Sequence, residues 1–228
     1  MTEPRRLLES LLAGDRACIG QISIERSDRD FVLCHRDDLG RRDLHDYPAE
    51  NAREIARFDD AGNYRPLKTA PDLRHGWRLE IVDLTELRRA LDYFYPGRLA
   101  MFAEWKENRL TTTTLRETLD RQSGMYRVAA KISDEQINDL VGSFCRSNGG
   151  CLRTILWKRD EDGAAPSTKL PPEKFDAWHS DALWSGSATP ATPAHGIPLL
   201  CQEACSLLVA ECRKVVKMTN VEGMTKPK

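Results

Sequence analysis

Two cysteine pairs constrain this chain more than any other feature. Cys145 and Cys151 form C-x5-C, Cys201 and Cys205 form C-x3-C, and 49 residues separate the pairs. The chain holds seven cysteines in 228 residues. Its first residues, Met-Thr-Glu-Pro-Arg-Arg, carry charge where a signal peptide needs an apolar core, so a cytoplasmic location is expected. Stable disulfides are rare in a reducing compartment. The cysteines are then expected to be core residues, metal ligands or both.

Composition removes other classes. Lys and Arg number 34 against 35 Asp and Glu, a net charge of -1, which gives no global drive toward nucleic acid or an anionic membrane. No apolar run approaches the roughly 20 residues of a membrane span.

The pattern along the chain predicts an α+β protein, a small N-terminal antiparallel sheet followed by a mainly helical part. Residues 5–13 read as an amphipathic helix. Residues 19–24 and 31–35 are apolar runs that read as a β-hairpin, residues 48–57 as a short helix, 59–63 as a turn and 77–82 as a half-buried strand. Asp83 with Glu86 and Ser133 with Gln136 read as capping boxes. The first opens a helix through Phe94, which Pro96 breaks before a second helix over 97–108. Residues 111–114, four threonines, read as a break that supplies an N-cap before Leu115. The helix after Ser133 is expected to end at Asn148-Gly149-Gly150, and residues 152–157 to form a short strand or helical piece. The predicted parts are 1–83 (α+β) and 84–217 (helical), with 218–228 a disordered tail. Six of twelve prolines fall within 166–198, so 159–198 reads as a Pro-rich insertion or lid. The last helix is placed over 202–216.

The cysteines sort by their surroundings. Cys18 and Cys34 lie in the apolar runs of the N-terminal hairpin and read as small buried hydrophobes. Cys145 sits at a helix end, and Cys151 follows a Gly-Gly turn. Cys201 and Cys205 are placed one turn apart at the start of the last helix, where the dipole favours thiolate charge. Cys212 lies about two turns further on, too far for the same tetrahedral site, and reads as core. Four thiolates hold zinc or an iron–sulfur cluster. The C-x5-C pair is wide for structural zinc, so spacing leans toward a cluster and leaves zinc and four buried thiols open.

The five histidines are scattered and read as surface or turn residues. No nucleotide-binding loop, nucleophile elbow or zinc-protease motif occurs, and no catalytic carboxylate pair stands out. Arg121, Arg127, Arg153, Lys158 and Arg159 form a basic cluster around the second half. It reads as a solvated face, or as charge that offsets a cluster and docks an acidic partner.

Several segments together carry a resemblance: 59–71 (DDAGNYRPLKTAP), 73–77 (LRHGW), 91–96 (LDYFYP), 121–127 (RQSGMYR), 151–153 (CLR) with 156–157 (LW), and 198–208 (PLLCQEACSLL). They resemble the [4Fe-4S]-binding domain that follows the CbiX-type sirohydrochlorin cobaltochelatase domain in some bacterial proteins. The resemblance spans roughly residues 15–215 and implies cluster ligation by Cys145, Cys151, Cys201 and Cys205. The chelatase domain and its metal-inserting histidines are not in this sequence, so the chain looks like a stand-alone form, and chelatase activity is not expected of it.

The reading that follows is a cytoplasmic [4Fe-4S] iron protein, a redox (electron-transfer) or regulatory accessory in tetrapyrrole metal insertion. Its expected partner is a CbiX-type chelatase or a redox protein, not nucleic acid or membrane. Arg153 and the Gly149-Gly150 backbone are candidate donors to the cluster sulfurs. Two alternatives remain. One is a structural four-cysteine site, iron–sulfur or zinc, in a protein–protein binding module. The other is an enzyme with Arg127, Tyr126 and His75 at a site between the two halves.

Overall fold

The computed structural model describes residues 3–12, 16–27, 30–59, 61–65, 73–145, 151–161, 163 and 195–224. In chain order they hold α1 (Glu3–Leu11), β1 (Arg16–Ile19), β2 (Ile22–Arg26), β3 (Phe31–His35), β4 (His45–Pro48), α2 (Ala52–Ile55), β5 (Trp77–Ile81), α3 (Leu84–Phe94) and α4 (Arg98–Lys106). There follow α5 (Leu115–Asp120), α6 (Asp134–Leu140), β6 (Thr154–Ile155), β7 (His195–Ile197), β8 (Leu200–Cys201) and α7 (Ser206–Met224). The chain divides into two compact units, Met1–Leu110 with Leu170–Leu199, and Thr111–Lys169 with Leu200–Lys228. The class is α+β, as the sequence predicts.

The first unit is built on a six-stranded sheet in the order β4-β5-β3-β2-β1-β7. The four inner strands pair antiparallel. The edge strands β4 and β7 join parallel to β5 and β1. Alternation in β5 puts Trp77, Leu79 and Ile81 in the core and leaves Glu80 exposed, the period-2 signature of a sheet with one covered face. Leu8, Leu87, Leu91, Phe94 and Phe102 from α1, α3 and α4 are buried. Trp77 and Phe94 stack at 5.2 Å. Full burial of such side chains contributes roughly 1.5–3 kcal/mol each.

The sequence treats 19–24 as one apolar run, but Gly20 and Gln21 turn the chain there, making β1 and β2 two strands. Gly20 adopts φ +56, and an added Cβ would lie 2.4 Å from the Tyr95 ring. The Tyr95 hydroxyl in turn accepts the Gln21 N–H at 2.8 Å. The expected capping residue Asp83 accepts from the N–H groups of Thr85 and Glu86, but Glu86 reaches back to the Val82 N–H at 3.4 Å.

The second unit packs α5, α6, α7 and a 3-10 segment (Gly124–Lys131) around Leu115, Leu119, Ile137, Val141, Trp157 and Leu208. Ser133 caps α6 with a complete capping box, as its spacing predicts, and Thr114 caps α5 with another, completed by Glu117. β6 pairs parallel with β8.

Three expectations differ from the structure. Residues 195–197, placed at the end of the Pro-rich insertion, are strand β7. Three residues carry too little periodicity to announce a strand, and the β1 edge supplies the order. The rest of the insertion, apart from 159–161, 163 and 198, lies outside the described residues, as does the Asn148-Gly149-Gly150 helix end. The last helix starts four residues later than expected and continues through Met224, where a tail was expected from 218. Among the described residues no helix is long and apolar enough to cross a membrane.

Candidate metal centre

All four cysteines of the two pairs belong to the second unit. α6 leads from its Ser133 cap into a π-helical turn, Val141–Cys145, that ends on the first of them. Such turns recur at functional positions because the extra residue re-aims a side chain. Cys145 is buried in the unit's hydrophobic core together with Cys201 and Cys212, and Cys205 packs against that core. Cys151 stands just ahead of β6 and is half-buried.

The C-x3-C pair differs from its expected setting. Cys201 is the last residue of β8, not the first turn of a helix. Its carbonyl accepts the Leu156 N–H at 2.9 Å, which ties β8 to the chain leaving β6. Cys205 is the residue before α7, and its carbonyl accepts the Val209 N–H at 3.1 Å. Cys205 therefore sits at the N-terminal end of a 19-residue helix, where the dipole favours a thiolate. The dipole acts on Cys205 and not on Cys201. A strand run of Leu199, Leu200 and Cys201 has no distinctive period of its own, which is why the sequence placed it with the helix.

One backbone N–H faces these sulfurs. The Arg153 backbone N–H donates to Cys151 Sγ at 3.4 Å. The Cys201 thiol donates to the Glu203 carbonyl at 3.1 Å. Burial pushes the Cys201 thiol above the ordinary range. The Trp157 N–H and the Arg153 charge oppose that rise, while the neighbouring Cys151 and Cys205 add to it. The indole Nε1 of Trp157 is buried and meets no hydrogen-bond geometry in full, yet its dipole acts on the Cys201 sulfur. Trp157 is the residue whose contribution the sequence does not reveal, because no spacing rule links a tryptophan to a cysteine 44 positions away.

The donor set is four thiols, soft sulfur ligands that suit an iron–sulfur cluster or zinc.

The remaining cysteines are core residues, as their settings predict. Burial pushes Cys18 and Cys212 up to about 11 and Cys34 to about 12. Of the basic cluster, Arg153 acts on the centre, and Arg121 pairs with Glu203 at 3.5 Å. Arg159 lies instead beside Asp134 and Asp160, at 3.9 and 3.4 Å. Arg127 lines a shallow cavity with Asp120 and Lys131. Tyr126 lies under the Arg213 guanidinium at 5.1 Å, while His75 belongs to the first unit.

Comparison with known proteins agrees with this division. Residues 107–214 match the family model of a 4Fe-4S iron–sulfur cluster binding domain, and residues 6–109 that of the DR2241 stabilising domain. No curated protein matches the chain. A crystal structure that matches is that of DR2241 from Deinococcus radiodurans, a multi-domain protein with structural similarity to chelatases and two additional novel domains. Its TM-score is 0.70 at 27% identity, over 95% of this chain and 41% of that one. The present chain thus spans less than half the length of DR2241. The cofactor of the second domain is a [4Fe-4S] cluster. The first part of the chain thus resembles a DR2241 stabilising domain and the second a [4Fe-4S] cluster binding domain.

Proposed function

We propose that Cys145, Cys151, Cys201 and Cys205 ligate the [4Fe-4S] cluster, and that the protein is a redox or regulatory accessory to a metal-inserting tetrapyrrole enzyme in the cytoplasm. The observation that carries the ligand set is that all four cysteines lie in the unit that matches the cluster-binding family, Cys145 and Cys201 in its core, Cys205 against that core and Cys151 close enough to act on Cys201. The cluster supplies one-electron chemistry when bound. The chain's own part is to hold four thiolates and to shield Cys145 and Cys201 from water, leaving Cys151 and Cys205 half-buried. A centre with two partly exposed ligands lies near enough to the surface for electron exchange with a docked protein. Trp157 and the Arg153 N–H stabilise negative charge on the sulfurs, which is a way that proteins set a cluster's potential.

The link to tetrapyrrole metal insertion rests on the likeness to DR2241, whose structure resembles chelatases. The partner on this reading is a chelatase of the CbiX type or a redox protein that serves it. A structural role competes with the redox role, because Cys145 and Cys201 lie among the unit's core residues and a metal there would staple the π turn to β8.

A redox titration of the anaerobically purified protein separates the two. Reversible one-electron reduction, with the fold unchanged, supports the redox role. A cluster that cannot be reduced without unfolding the second unit supports the structural one. A colourless protein with one zinc overturns both the cluster and its ligand assignment.

A further inference from the structure

We propose that His35, Asp37 and His75 form a second metal site, one for a divalent first-row transition-metal ion held by nitrogen and oxygen donors. One ligand atom from each of the three residues lies within 4.8 Å of the other two. The sequence separates the histidines by 40 positions, but β3 and β5 are antiparallel neighbours. His35 ends β3 and His75 precedes β5, so the sheet brings the two ends together. Their rings stand 3.8 Å apart at 50°.

The individual donors are arranged for coordination. His35 is fully buried. Its Nδ1 accepts the Asp37 N–H at 3.2 Å, a long bond that a metal ion would replace at the same lone pair, and Asp37 Oδ2 lies 3.8 Å from it. The other ring nitrogen, Nε2, is buried with no hydrogen-bond partner in the protein. Native folds rarely leave a buried polar atom so. His75 is aligned from behind. Asp38, almost completely buried, accepts the Gly76 N–H at 2.7 Å and the Arg41 guanidinium at 2.8 Å. Its Oδ1 lies 3.4 Å from His75 Nδ1. A carboxylate on one imidazole nitrogen fixes the tautomer and turns the other nitrogen outward as a ligand. Asp37 and His75 are exposed, so an ion reaches the site from solvent. Two imidazoles and one carboxylate select borderline divalent ions over magnesium or calcium and leave positions open for water or substrate.

Zinc is the probe. The cluster-loaded protein is titrated with Zn2+ anaerobically, and the bound metal's ligand shell is read by X-ray absorption. One zinc per chain with a nitrogen and oxygen shell is expected. The His75→Ala variant, which removes a partly exposed side chain, should lose this binding while the cluster spectrum stays unchanged. Asp38→Asn should weaken it by roughly 10–100-fold, as loss of an outer-shell partner does. A sulfur-containing zinc shell, no zinc uptake, or unaltered binding in His75→Ala overturns the proposal.

Discussion

At the scale of single residues, the centre depends on what faces the sulfurs. Trp157 is fully buried and its N–H acts on Cys201. Trp157→Phe keeps the ring in the core and removes only the donor. The cluster should still form, and its midpoint potential should fall, since the reduced state carries more negative charge on the sulfurs. An EPR-monitored redox titration reads this directly, and an unchanged or higher potential would contradict the assigned influence. The core thiols make a different prediction. Burial raises Cys18 to about 11 from 9.0. Between those values the unfolded chain has released a proton that the native chain retains, so stability is full below pH 9 and falls as pH rises toward 11. At ~1.36 kcal/mol per unit, Cys18 accounts for up to about 3 kcal/mol of that loss. Cys18→Ala should flatten the alkaline limb of a stability–pH curve, and an unchanged limb would count against it. The core character of Cys18, Cys34 and Cys212 was legible in the sequence because each sits in an apolar run. The role of Trp157 and the meeting of His35 with His75 were not, because both depend on which strands become neighbours.

At the scale of elements, caps and turns were the legible features. Thr114 and Ser133 carry their instructions within four residues, and both capping boxes form. Thr114→Ala should cost about 1 kcal/mol of unit stability, measured by denaturant unfolding, with the cluster retained at neutral pH. A loss above about 2 kcal/mol would mean that Thr114 does more than cap. Gly20 is a stricter case. Its positive φ and the Tyr95 ring against it leave no room for a Cβ. Because Tyr95 is itself buried and bonded to Gln21, Gly20→Ala should destabilise by about 2–4 kcal/mol, seen as a lowered melting temperature. Tolerance of alanine there would show that the β1–β2 turn can shift. The elements that the sequence misplaced are the short ones. β7 and β8 hold three and two residues, so their strand character comes from the partner edge and not from their own pattern. The same cause moved Cys201 from an expected helix to a strand end.

At the scale of the whole molecule, two units divide the work. The first is a covered mixed sheet whose chemistry lies at one end of β3 and β5. The second draws its thiols from a π turn, the segment ahead of β6, the end of β8 and the residue before α7. No local motif of the paired-knuckle type announces such a set. The sequence singled out these four cysteines by their placement at element ends, and the resemblance to a cluster-binding family gave the cofactor. The central claim is that these four residues, and not Cys212, hold the cluster. Iron and acid-labile sulfide per chain, measured in anaerobically purified variants, test it most directly. The account predicts four irons and four sulfides in the wild type and in Cys212→Ala, and loss of intact cluster in each of Cys145→Ala, Cys151→Ala, Cys201→Ala and Cys205→Ala. A full cluster in any of those four variants, or its loss in a folded Cys212→Ala, would contradict the account.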